Sequence, residues 1–311
     1  MAPPRGNNTG NTGKTGRGPG RRSLLAGAAS LAAAGTLGAT TACSRVSSAD
    51  TGNGGDLLER LRIQGTVKVG IAGEQPYSYI DKNGELTGSS PAIARIIFGR
   101  LGIDNVQPMP TEFASLIPGL NSQQFDVVAA GMYVTPERCE QVLFADPEYE
   151  MRDAFIVRKG NPKGLHTYKD VADKGAKLAT GVGYAEIDYA KEVGIKESEM
   201  KLLPDQLAGL LEVQGGRADV FAGTAVTVRN VVRQSKSGKT EFTKAFTPTL
   251  DGKPDLGTGA FAFRKGESNL RDAFNEELHK MKKSGELLRI MKPFGFIEQE
   301  MTTQTAKERC K

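Results

Sequence analysis

The sequence predicts an α/β protein of two lobes joined by two crossing strands, and three observations carry that prediction. Short apolar runs alternate with helical patterns through the body of the chain. A near-repeat sets Ala154-Phe155-Ile156-Val157-Arg158-Lys159-Gly160 against Ala260-Phe261-Ala262-Phe263-Arg264-Lys265-Gly266, each at a change in the helix–strand rhythm. Polar and aromatic residues gather at the predicted C-terminal ends of strands, where open α/β sheets bind ligands. Together these predict a first lobe over 63–157 plus 258–311 and a second lobe over 158–257, with the repeated strands crossing between them as a hinge. The alternative for the repeat is coincidence in a short window.

The N-terminal region is a separate matter. Residues 1–20 offer nothing to build a core from, and they lead into Arg21-Arg22-Ser23-Leu24-Leu25 and an uncharged Ala/Gly/Leu/Thr run that ends at Ala42. That pattern resembles a twin-arginine export signal over 1–42. A transmembrane anchor is the alternative, although Ala and Gly transfer poorly into lipid and the run is short for a span. Thr40-Thr41-Ala42-Cys43 resembles a lipobox, with Thr40 a departure from its usual branched or Leu residue, so Cys43 is the expected lipidation site. A free cysteine is the other reading. Residues 43–62 are expected to form a flexible tether between membrane and folded body.

Charge follows the same boundary. Five of the 41 basic residues precede Cys43 while all 36 acidic ones follow it, so the mature chain is close to neutral. The basic footprint of a nucleic-acid binder is absent. With His166 and His279 as the only histidines and no Cys/His cluster, no metal site is expected. Gly181-x-Gly183 lacks the remainder of a dinucleotide fingerprint, and no cofactor is expected. Cys139 and Cys310 are either a disulfide, which would pin the C-terminal tail to the first lobe, or two separate thiols. As a disulfide, a loop of that length contributes at most about 5 kcal/mol in the chain-entropy account.

In chain order, Val67 to Ile71 is a predicted strand, and Tyr77 to Ile80, Asn83-Gly84 and Leu86 a small hairpin. Ser90 and Pro91 are expected to cap and open a helix with Ile93, Ile96, Ile97 and Leu101 on its apolar face. A helical stretch around Leu116 to Leu120 precedes a buried strand from Phe125 to Ala130. Thr135 and Pro136 cap and open a short helix that places Arg138 in its first turn. In the second lobe Lys177 to Thr180 is a strand, Gly181-Val182-Gly183 a turn, and Tyr184 to Glu192 a helix whose first amides face an anion. Leu207 to Val213 is a helix, and Val220 to Ala222 a strand ending at Gly223-Thr224.

The candidate binding residues stand in three segments: Glu74-Gln75-Pro76-Tyr77, Thr111-Glu112-Phe113, and Gly131 to Arg138. A cation in the first turn of a helix opposes the dipole, so Arg138 implies a local anion, and its fork matches a carboxylate. The alternative is a solvated Arg paired with Glu137 or Glu140. Tyr77, Phe113 and Tyr133 are either core aromatics or a box around a delocalised cation that faces Glu74.

Val67 to Gly160, with Thr135-Pro136-Glu137-Arg138 followed by Phe144-Ala145-Asp146-Pro147-Glu148-Tyr149, resembles the first lobe of family 3 extracellular solute-binding proteins. The run Gly131 to Cys139 and Ser115-Leu116-Ile117-Pro118-Gly119-Leu120 resemble the ectoine/hydroxyectoine-binding branch. The resemblance implies a type II periplasmic-binding-protein-like fold and a monomer that captures a small zwitterion for an ABC permease. It assigns Arg138 to the ligand carboxylate, Glu74 to the cyclic amidine, and Tyr77, Phe113 and Tyr133 to the ring; Thr135, Gly183, Tyr184 and Thr224 complete the expected ligand-binding set. Thr224 stands where amino-acid binders of the family usually carry an Asp, and Gly183-Tyr184-Ala185 where they usually have Gly-Thr. A polar amino-acid binder of the same family is the alternative. An exported dehydratase with Glu74 as general acid is the reading from a different class.

Overall fold

The structure, a computed structural model, describes residues 56–311. The expected signal, Cys43 and the first part of the expected tether lie outside them. The tether is shorter than expected, because Leu57–Gln64 is a helix capped by Asp56, whose side chain accepts from the Leu58 amide. Leu57, Leu58 and Leu61 are buried, and Asn269 also reaches Asp56, at 3.2 Å. Three apolar residues at helical spacing have a core to bury in, which a solvated tether would not provide.

Two sheets organise the body. The first runs in the order Asn105–Pro110, Thr66–Ile71, Val127–Tyr133, Gly257–Phe263, Leu143–Phe144, with Tyr149–Met151 also paired to Gly257–Phe263. Its first three strands are parallel, and Gly257–Phe263 is antiparallel to Val127–Tyr133. The second sheet runs Lys201–Leu203, Leu178–Gly181, Val220–Thr224, Asp153–Arg158, Thr240–Phe242 and repeats the plan: three parallel strands, then an antiparallel one. The near-repeated heptads therefore occupy equivalent places, one in each sheet. They do not themselves cross between lobes. The chain crosses at Arg152, between Tyr149–Met151 and Asp153–Arg158, and returns between Thr240–Phe242 and Gly257–Phe263. Asp153 and Phe246 exchange backbone hydrogen bonds of 3.0 and 2.9 Å and tie the two crossings together.

Local chemistry explains where elements begin. The second helix spans Ser89–Arg100 and follows Gly88 at φ 121°, so Ser90 lies inside it rather than capping it. The strand Val127–Tyr133 runs past Gly131, further than expected. Gly131 sits at φ 62°, and the register opposite slips between Ala260 and Ala262. The resulting bulge turns the end of the strand toward the cleft. It also leaves space that a side chain at 131 would take from the ring of Tyr77. Cys139 and Cys310 are joined, with Cα atoms 5.6 Å apart.

Candidate functional site

A cavity of about 290 Å³, counting the space open to solvent, lies between the sheets at the C-terminal ends of their parallel strands. Its walls include Glu74, Tyr77, Phe113, Tyr133 and Arg138 from one side and Tyr184, Glu186 and Thr224 from the other. Seven of the nine expected binding residues line it; Thr135 and Gly183 do not.

Arg138 is half-buried. Pro136–Cys139 forms a single turn, and the Thr135 hydroxyl accepts from the Arg138 amide at 3.4 Å. Thr135 thus shapes the helix instead of lining the cavity. The guanidinium donates from Nη1 to the Tyr133 carbonyl at 2.6 Å and from Nη2 to the Gly183 carbonyl at 2.8 Å, and it stands 5.4 Å from the centre of the Phe113 ring. Neither Glu137 nor Glu140 pairs with it among the described residues. A guanidinium has five N–H donors, so three remain for a carboxylate.

Glu74 is buried and spans the cleft. Its carboxylate accepts from the Tyr184 hydroxyl at 2.9 Å and from the Thr227 hydroxyl at 2.8 Å. Burial pushes its carboxyl up to about 7, with both hydroxyls pulling the other way. Tyr77 donates its hydroxyl hydrogen to Thr224 at 3.0 Å and stacks on Tyr149 at 5.3 Å. Phe113 meets Tyr184 edge-on at 5.0 Å. The ring of Tyr133 covers Gly257, where any side chain would collide with it.

The second lobe departs from expectation in two ways. In the turn before Glu186–Glu192 the Tyr184 N–H, one of the amides expected to meet an anion, is bonded to the Gly181 carbonyl, and Gly183 turns its carbonyl to Arg138. Tyr184 contributes its ring and hydroxyl instead. The other departure is Glu186, a cavity wall that the sequence reading did not single out. It is 3% exposed, and burial, reinforced by Asp153 and Glu74, pushes its carboxyl well above the ordinary range. At the start of a helix a Glu ordinarily serves the dipole; only the tertiary fold turns this one inward. The cleft therefore holds a second buried acidic side chain besides Glu74. Among the described residues no group of three or more potential ligands could hold a metal ion.

Two lobes, two crossings and a polar, ring-lined cavity between them define a solute-binding protein. Residues 67–296 match the model of bacterial extracellular solute-binding proteins, family 3, and the chain belongs to that family. It is 36% identical over 259 residues to a probable amino-acid ABC transporter periplasmic-binding protein, y4tE, of Sinorhizobium fredii, covering 81% of this chain and 85% of the relative. Among solved structures it resembles EhuB in complex with hydroxyectoine, at 35% identity and TM-score 0.75, covering 82% of this chain and 97% of that one. It also resembles an ancestral arginine-binding protein bound to arginine, at 31% identity and TM-score 0.64, over 75% of this chain and 99% of the other. The protein is thus the exported solute-binding component of an ABC importer, and it works with a membrane permease.

Proposed function

We propose that the solute is a compact zwitterion with a delocalised positive charge, of the ectoine and hydroxyectoine class. The observation that carries this reading is the meeting of Glu74, Arg138 and the rings of Tyr77, Phe113 and Tyr133 in one small cavity. Arg138 takes the carboxylate with its remaining donors, Glu74 takes the amidinium, and the ring faces add cation–π attraction. The likeness to EhuB, described with hydroxyectoine, supports the same class. Binding proceeds without chemistry, by closure of the lobes around the solute. On this reading the protein is a monomer, and acylation of Cys43 holds it to the outer face of the membrane.

Glu186 favours a second reading, a polar amino acid whose ammonium rests on that carboxylate. A thermal-shift panel of ectoine, hydroxyectoine, arginine and glutamine separates the two. Stabilisation by the ectoines is expected; stabilisation by the amino acids alone overturns the assignment. In calorimetry Arg138→Ala should abolish high-affinity binding with the fold intact, and unchanged affinity would remove the central residue.

A further inference from the structure

The helix that carries Arg138 is four residues long and has no buried residue of its own. A single turn does not hold itself in water. Its outer end is held by Lys265, whose ammonium donates to the Cys139 carbonyl at 2.6 Å, and by the Cys139–Cys310 disulfide. The far partner, the C-terminal segment 301–311, is itself anchored along its length. Met301 bridges to Tyr149, the Ala306 amide donates to Asp146 at 2.9 Å, and Ala306 is buried beside Val142 and Phe144.

The residue before Cys310 reaches elsewhere. Arg309 pairs with Asp255 at 2.8 Å, where both side chains are largely shielded from solvent. Asp255 lies on the return crossing between the lobes and also accepts from the Tyr189 hydroxyl at 2.7 Å. Tyr189 belongs to Glu186–Glu192, the second-lobe helix that carries Glu186 into the cleft. Arg309 faces the same side cavity as Thr135, Pro136 and Tyr189, next to the ligand cavity. Two consecutive residues of one capped turn thus hold the Arg138 helix, the return crossing and a second-lobe helix at a set spacing.

We propose that the segment 301–311 is a strap that sets the position of the Arg138 guanidinium, with Cys310 and Arg309 as positioning residues for recognition of the ligand carboxylate. The inference rests on the reading that Arg138 takes that carboxylate. A forked, bidentate contact depends steeply on placement, so a loosened helix loses affinity without losing the fold.

The test uses the oxidised, exported chain and the tightest binder among ectoine, hydroxyectoine, arginine and glutamine, all of which carry a carboxylate. Calorimetry compares the paired substitution Cys139→Ser with Cys310→Ser in two backgrounds, the natural chain and Arg138→Gln. The serine pair should weaken binding about tenfold in the natural chain and add no further loss once Arg138 is gone, the non-additivity expected of residues acting through one another. An equal loss in both backgrounds would mean general loosening and would overturn the inference, as would unchanged affinity. If Arg138→Gln itself binds like the natural chain, the carboxylate reading fails and takes the strap with it. If Arg138→Gln binds weakly and the serine pair binds normally, only the strap fails. Should the serine pair not fold, Arg309→Gln leaves the disulfide in place and should show a smaller loss, about threefold, with the same dependence on Arg138.

Discussion

The Tyr184 hydroxyl donates to the Glu74 carboxylate at 2.9 Å, from one lobe to the other. On the proposed reading Glu74 both faces the ligand cation and links the two lobes, and its protonation touches both roles. Burial holds Glu74 up to about 7. A ligand with a permanent positive charge needs the ionised carboxylate, so its affinity should fall as pH drops from 8 to 6. Calorimetry across that range should show the decline in the natural chain and a flat, weaker profile in Glu74→Gln. A flat profile in both would remove Glu74 as the cation partner.

Glu186→Gln separates the two candidate ligand classes. If the cation is an amidinium on Glu74, the substitution should change ectoine affinity by less than about tenfold. If an ammonium rests on Glu186, arginine or glutamine affinity should collapse by about two orders of magnitude or more, as expected when a buried charge loses its partner.

Gly131 at φ 62° lies against Tyr77 and the Tyr149 hydroxyl. Gly131→Ala adds a methyl group to a backbone conformation that disfavours it and pushes on the ring of Tyr77. A loss of about 3 kcal/mol in urea unfolding is expected, with weakened ligand binding alongside it. Normal stability would show that the bulge adapts.

Glu148 is 1% exposed, and neither carboxylate oxygen has a hydrogen-bond partner among the described residues. Burial pushes its carboxyl from an ordinary 4.5 to about 8, with the Lys282 ammonium pulling the other way. The folded state thus holds the proton more tightly than the unfolded one, so stability declines as pH rises from about 4.5 to about 8. Glu148→Gln should raise the melting temperature by about 4 °C at pH 8 and leave it nearly unchanged below pH 5. A lower melting temperature at both would mean that the carboxylate has a stabilising partner.

Much of this was legible in the chain. Thr135-Pro136 marked the turn that presents Arg138, because capping is a local property of neighbouring residues. The aromatics could be placed because they follow predicted strands. Glu186 was not legible: two residues after Tyr184 at a helix start, it carries no signature that distinguishes an inward carboxylate from a solvated one. The same limit applied to Gly183, whose carbonyl direction depends on where Arg138 arrives from the other lobe. The helix Leu57–Gln64 was missed at its polar border, where Gly54-Gly55 ran on into the first apolar turn.

The two crossings differ in kind. One is a single residue, Arg152, and the other a longer path that includes the hairpin Thr249–Leu250 with Lys253–Pro254. The two paths are tied side by side where Asp153 meets Phe246, and beyond that point the longer one carries the hairpin away from both sheets. The turn Asp251-Gly252 at the tip of that hairpin is exposed. It is where a fluorescent reporter domain could be spliced in to turn solute capture into an optical signal without entering either sheet.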